Sequence, residues 1–300
     1  MIFEITGKVQ HLIVLGAGAS VDYRLPTWKE LSPLISERVK SDTKGEYKFH
    51  KEILNWLDSI GEGKKYETLD ECIVYEAVAS DFHDNGPDIE NQIFLITKDI
   101  FDSAYNENNT GWIRSLNEKI LYNAEQLESS IAFINYNYDG VLDKNFLDFD
   151  YLPAKNKLYL NKARLEKLHY ATADVLYPHG YFSEESTVRI SHLNKHAQTM
   201  KDGNGNHLPV VSCHESFKHA VVPRFGNTNG HKLYILGLGG GLEVNLNNIL
   251  FKEKISEIHI TVWEGKNKNE IINFLSNKFK VSLELIHTYS SCNELIDACF

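Results

Sequence analysis

The stretch Leu12-Ile13-Val14-Leu15-Gly16-Ala17-Gly18-Ala19-Ser20 decides how this chain folds. Four aliphatic residues without a polar interruption fit a strand covered on both faces, the mark of a parallel sheet. The run, which starts at His11, stops at a glycine, and the next four residues are all small. Such a turn brings backbone N–H groups to a bend that a diphosphate can approach, because no Cβ bulk holds it off. Gly16, Ala17, Gly18, Ala19 and Ser20 are therefore candidate phosphate-binding positions. Val21 stands where the dinucleotide pattern has its third glycine. A tight strand-to-helix turn without a ligand stays open as the alternative.

The same grammar recurs further along. Residues 131–135, 175–177, 232–236, 257–262 and 281–285 read as strands. Helices are expected at 28–39, where Thr27 and Glu30 have capping-box spacing, from Asp139 onward, at 270–279 and at 291–300. Alternating strands and helices predict an α/β fold, a Rossmann-like doubly wound parallel sheet. Residues 41–128 differ. Ile53, Trp56, Leu57 and Ile60, then Ile93, Phe94, Ile96 and Ile100, repeat at helical spacing, with a break at 81–88. This stretch is expected as a helical insertion or lobe in a core built from 1–40 and 129–300. Residues 183–230 are polar and irregular and suit a hairpin and a flexible loop.

Three hundred residues suit one large domain with an insertion, or two lobes. A formal net charge of -10 argues against broad nucleic-acid binding, which needs a basic face. No apolar run approaches the roughly 20 residues that span a bilayer, and the first ten residues have neither signal-peptide nor transit-peptide character. Cys72, Cys213, Cys292 and Cys299 form no CxxC pair, so neither a common zinc site nor a disulfide framework is expected. A reduced, cytoplasmic protein with no bound metal is the expectation.

Other strand ends carry further candidates. Asn137 and Asp139 follow the strand at 131–135, and ligands in open α/β sheets bind beyond the carboxyl ends of strands. Asn137 can donate and accept at once, so it suits a ribose hydroxyl or a water; a turn role is the alternative. Asp139 is equally suited to capping the next helix. His179 precedes Gly180 after the strand at 175–177, and a neutral imidazole there can take a proton from a hydroxyl or a water. Gly237, Gly239 and Gly240 make a second glycine-rich strand end that lets backbone approach a ligand. Glu264, after the strand at 257–262, can accept from adenosine ribose hydroxyls or simply face solvent.

Taken together, Gly16 to Ser20 with Leu25-Pro26-Thr27, Tyr136-Asn137-Tyr138-Asp139, His179-Gly180 and Gly237 to Gly241 resemble the SIR2-like (sirtuin-type) family, in particular its bacterial antiphage-defence branch. The order agrees across most of the chain apart from the helical insertion. The chain departs from the family pattern at Tyr136, where Thr or Gln is usual, and in the form of its last glycine loop. It also lacks the four-cysteine zinc module of deacetylase sirtuins, which favours the defence branch. The AbiH-type abortive-infection proteins are similar in layout, but usually carry Asn and Phe where this chain has Ala17 and Ala19-Ser20.

The SIR2-like resemblance implies an NAD+-consuming enzyme that releases nicotinamide and ADP-ribose without a metal. On that reading Gly16, Gly18 and Ser20 hold the diphosphate, Ala17, Ala19, Pro26 and Thr27 are further cofactor-binding positions, and Trp28 walls the nicotinamide pocket. Asn137 positions the attacking water or the nicotinamide ribose, Asp139 orients Asn137 or a nearby water, and His179 is the general base or fixes ribose hydroxyls. The resemblance also implies abortive infection as the setting. The helical stretch would then supply homo-oligomer contacts or dock a defence partner such as an ATPase or phage sensor. A nucleotide or ADP-ribose sensor without turnover is the competing class, and a structural subunit the third.

Overall fold

The structure, a computed structural model, describes residues 9–66, 68–69, 72–73, 75–76, 85–105, 111–122, 130–137, 139, 141–142, 174–176, 231–239, 242, 246 and 255–300. Among the described residues six strands form one sheet: β1 (Val9–Leu15), β2 (Ser130–Asn135), β3 (Asp174–Leu176), β4 (His231–Leu236), β5 (Ile255–Thr261) and β6 (Ile286–Tyr289). Their order is β3-β2-β1-β4-β5-β6, and every neighbouring pair is parallel. With helices flanking it, the sheet is of the α/β class. From β1 the chain first builds outward through β2 and β3, then returns to add β4, β5 and β6 on the other side. That reversal puts the topological switch point at the carboxyl ends of β1 and β4, the place where open α/β sheets bind ligands. Register places Leu15 between Asn135 and Leu236, so the first glycine turn emerges between the Asn-containing segment and the second glycine turn.

Alternation along each strand separates two faces. Leu12 and Val14 of β1, Leu233 and Ile235 of β4, and Ile258 and Ile260 of β5 share one buried apolar cluster. Leu275 of α5 (Lys268–Phe279) joins it, with Ile271, Ile272 and Phe274 packed against it. The opposite face is different. His11, Tyr234, His259 and His287 stand side by side across β1, β4, β5 and β6, with successive ring centroids 5.7, 5.0 and 5.0 Å apart. Cys299 of α6 (Cys292–Cys299) reaches this row, its Sγ 3.2 Å from His259 Nδ1. Helix α4 (Trp112–Tyr122) packs beside α6, where Ser115 Oγ donates to Asp297 Oδ1 at 3.1 Å.

The chain divides into two compact units. The first comprises 1–22, 108–178 and 216–300 and contains the sheet. The second comprises 23–107 and 179–215. It contains α1 (Trp28–Ser41), α2 (His50–Asp58) and α3 (Gly86–Ala104), packed on one another. Helix α4 lies inside the stretch read from sequence as the insertion and groups with the sheet; α1, read with the core, groups with the helices. The capping box at α1 is present: the Glu30 carboxylate accepts the Thr27 N–H and hydroxyl, both at 2.7 Å.

One expected element is corrected. Residues 281–285 are not a strand. Helix α5 ends at Lys280, in the left-handed region at φ 57°, and Leu283–Leu285 form a 3-10 turn closed by Leu285 N–H donating to Ser282 O at 3.0 Å. Leu283 and Leu285 stay exposed. Their period-two spacing imitates a strand, but the edge strand begins at Ile286, the residue that is buried.

Candidate functional site

The site is built from the carboxyl ends of four neighbouring strands. Beyond β2, Tyr136 N–H donates to Leu15 O at 3.0 Å. Beyond β1, Gly16 N–H donates to Leu236 O and Gly18 N–H to Gly237 O, each at 2.9 Å. Beyond β4, Gly237 N–H donates to Thr261 Oγ1 at 2.9 Å. A continuous row of hydrogen bonds therefore stitches the two glycine turns to each other and to the flanking strands.

The glycines make this approach feasible. A Cβ on Gly16 would lie 2.7 Å from Gly237 O and from Leu238 Cα. One on Gly18 would lie 2.9 Å from Gly237 O and 3.1 Å from Trp263 Nε1. Gly237 adopts φ +66°, a conformation few other residues take without strain. Small residues here are needed first for backbone-to-backbone packing of the turns. The N–H groups of Gly16 and Gly18 already have partners, as does that of Ala19, which donates to Gly16 O at 2.8 Å.

Asn137 closes the arrangement from the β2 side. Its Nδ2 donates to Gly16 O at 2.9 Å and to Ser20 Oγ at 3.1 Å, and its own N–H donates to Asn135 Oδ1 at 3.0 Å. Because the Gly16 carbonyl can only accept, the NH2 side of the amide must point at it. Oδ1 is thereby left as the acceptor, and among the described residues none donates to it. All three polar side chains, Asn135, Asn137 and Ser20, are buried. Their mutual bonds fix the rotamer of an amide just beyond the carboxyl end of β2.

Asp139 Oδ1 accepts the Val141 N–H at 3.0 Å, the capping geometry open to it from sequence. Gly239 is exposed, and open space surrounds the position its Cβ would take. Glu264 is exposed in the turn after β5. Pro26, Thr27 and Trp28 lead into α1 in the second unit, and the Thr27 hydroxyl is engaged by Glu30. His179 and Gly240 lie outside the described residues.

Several residues at the site escaped the sequence reading. Thr261 holds the second turn through Gly237. Trp112, within the stretch read as the insertion, donates its Nε1–H to Ala19 O at 2.7 Å and is buried. Asp22 accepts from Asn293 Nδ2 at 3.3 Å, and burial raises its carboxyl above the ordinary aspartate range. Burial also raises the Cys292 thiol, with Asp22 adding to the effect. The period-two position of Thr261 on a strand was visible in the sequence; the cross-chain partners of Trp112 and Asp22 were not. Trp112→Phe is expected to lower unfolding free energy by about 1–3 kcal/mol, because the buried indole bond is lost. Urea denaturation checks this, and an unchanged midpoint at unchanged slope would show that the bond adds nothing.

Among the described residues no cluster of three His, Cys, Asp or Glu is placed to hold a metal ion, and no helix is long and apolar enough to cross a membrane. Among the described residues Cys72, Cys292 and Cys299 form no disulfide. No family model matches the chain, and no curated protein matches its sequence.

Proposed function

We propose that the chain is a SIR2-like enzyme with a Rossmann-like, doubly wound core that hydrolyses NAD+ to nicotinamide and ADP-ribose. The observation that carries this reading is Asn137. Its amide is locked by Gly16 O and Ser20 Oγ just beyond the carboxyl end of β2, with Oδ1 left to accept from a water or a ribose hydroxyl. The strand order, reversing at β1, supports the Rossmann-like form. The sequence motifs around Gly16, Asn137, His179 and Gly237 supply the rest.

In this reaction a water oxygen bonds to C1′ of the nicotinamide ribose as the glycosidic C–N bond breaks. The bonding pair leaves with nicotinamide, which departs neutral, and the water gives up one proton. The transition state has oxocarbenium character, so a fixed acceptor and exclusion of bulk water both favour it. Asn137 Oδ1 orients the water or the ribose, and His179 takes the proton. Ser20 and the small residues of the first turn face the diphosphate. Asp139, two residues beyond Asn137, serves by accepting the Val141 N–H and so holding the turn that follows Asn137. In this reading the protein acts in abortive infection, through homo-oligomer contacts or a defence partner such as an ATPase or phage sensor.

A second reading has a specific support. The amides of Gly16, Gly18 and Ala19 are consumed by the packing of the turns. That counts against a phosphate cradle of free N–H groups, for an enzyme and a sensor alike, and favours an AbiH-type protein as the second reading.

The test is nicotinamide release from NAD+ by purified protein, with Asn137→Ala and His179→Ala alongside. Release by the wild type that falls at least tenfold in both variants, with ADP-ribose binding retained, is the expected result. Binding without release supports the sensor. Neither binding nor release overturns the SIR2-like reading.

A further inference from the structure

We infer that Trp263 is the platform on which the nucleobase of the ligand stacks, so that the site takes a base-bearing diphosphate more tightly than inorganic pyrophosphate. This inference rests on the nucleotide reading above and adds to it the part of the ligand held beyond β5.

Trp263 stands two residues past the end of β5, on the carboxyl edge of the sheet where the two glycine turns meet. Its indole lies against the first turn: Nε1 is 3.1 Å from where a Cβ on Gly18 would be. Gly18 therefore makes room for two neighbours at once, the Gly237 backbone and this ring. Yet the ring is not absorbed into the core. It is 37% exposed, while the buried tryptophans Trp56 and Trp112 are 9% and 1% exposed. Val262 N–H donates to Tyr289 O at 2.8 Å and Lys266 N–H to Trp263 O at 3.2 Å, so the backbone that presents the ring is tied on both sides.

A large aromatic held by fixed backbone, seated at the strand ends and open to solvent, has the properties of a base-stacking surface. Such stacking tolerates any base and is lost on truncation to alanine. Glu264 follows directly and is also exposed. A ribose attached to a base on Trp263 would come within reach of that carboxylate, which accepts hydroxyl protons.

The experiment uses ADP-ribose with the full chain, followed by calorimetry and by tryptophan emission. ADP-ribose is expected to quench the wild-type emission. Trp263→Phe keeps an aromatic face, so affinity is expected to stay within about threefold while most of the quench disappears. Trp263→Ala is expected to weaken ADP-ribose binding by roughly tenfold or more and to leave inorganic pyrophosphate binding unchanged. A thermal melt of each variant confirms the fold. Undiminished ADP-ribose affinity in Trp263→Ala, or a full quench in Trp263→Phe, overturns the inference and leaves the nucleotide reading standing. Failure of the wild type to bind either ADP-ribose or NAD+ overturns both.

Discussion

Gly237→Ala is expected to unfold the site and to cost the protein about 4 kcal/mol. Two effects combine. At φ +66° an alanine pays the left-handed penalty, on the order of 1 kcal/mol. Its Cβ would also overlap Ala19 N and the Gly18 carbonyl carbon and come 2.7 Å from Gly18 Cα. These are backbone atoms of a turn held by its own hydrogen bonds, so no side-chain rotation relieves the overlap. Overpacking of this kind costs roughly 1–3 kcal/mol when the surroundings can yield, and more when they cannot. The turns would have to separate, which breaks the Gly18 N–H to Gly237 O bond and loosens Gly16, the partner of Asn137. Thermal unfolding is the check: a midpoint lowered by several degrees or more is expected at roughly 2–4 °C per kcal/mol. A midpoint within 2 °C of wild type would mean that the two turns do not pack as described. Gly239→Ala separates the two effects: Gly239 also has positive φ, +25°, but nothing lies near the position of its Cβ, so it carries backbone strain without the overlap.

Acid is expected to destabilise the protein between about pH 6.5 and pH 4. The cause is the row of rings on the α6 side of the sheet. His11 Nδ1 and Tyr234 Oη are 2.9 Å apart, as are His259 Nδ1 and Tyr289 Oη. Burial holds His11 at about 4, helped by Lys232 and His259. Burial likewise holds His259 at about 4 against the opposing pull of Glu257. His259 Nε2 is buried without a hydrogen bond, and Glu257 Oε1 at 3.4 Å lies outside bonding geometry. Glu257 is instead taken by Lys232 Nζ at 2.8 Å and His287 Nε2 at 3.0 Å. Burial opposes ionisation of Glu257, yet these partners outweigh it and lower its titration.

Both histidines, His259 buried and His11 half-buried, are neutral in the fold and ordinary in the unfolded chain. Above pH 6.5 neither state binds the proton and stability is at its plateau. Below it the unfolded chain takes up protons that the fold refuses, so stability falls until the folded groups titrate near 4. One histidine moved from 6.5 to about 4 corresponds to roughly 3 kcal/mol. Two that share Tyr234 as a neighbour do not add fully, and about 5 kcal/mol is expected for the pair. Chemical denaturation at pH 7.5 and 4.5 measures it. His259→Phe keeps the stack and removes one titration, so its loss between these pH values should be visibly smaller. Equal unfolding free energies at both pH values in the wild type would refute the account.

Much of the sheet was legible before any coordinates. The apolar runs at 12–15 and 233–236 each end on glycine, and both became adjacent central strands. Continuous hydrophobicity, glycine punctuation and the Thr27–Glu30 spacing are local signals, and local propensity agreed with the final fold there. Where apolar spacing was local but burial was not, the reading failed. Val281, Leu283 and Leu285 alternate like a strand, yet only packing tells which of such residues will be covered, and two of them remain exposed.

The sequence by itself determined an α/β chain whose small residues and glycines sit at strand ends, because backbone geometry and strand burial are written in neighbouring residues. Only the tertiary structure decided what those glycines are for. Gly16 and Gly18 face Gly237, more than 200 positions away, and the amides that a phosphate would seek are spent on that contact. The same holds for the amide of Asn137 on Gly16 and Ser20, for Trp112 on Ala19, and for the ring row from His11 to His287. Each pairs residues from strands or helices far apart in the chain. Such pairings depend on strand order and register, which arise from the packing of the whole sheet and leave no mark in any short stretch of residues.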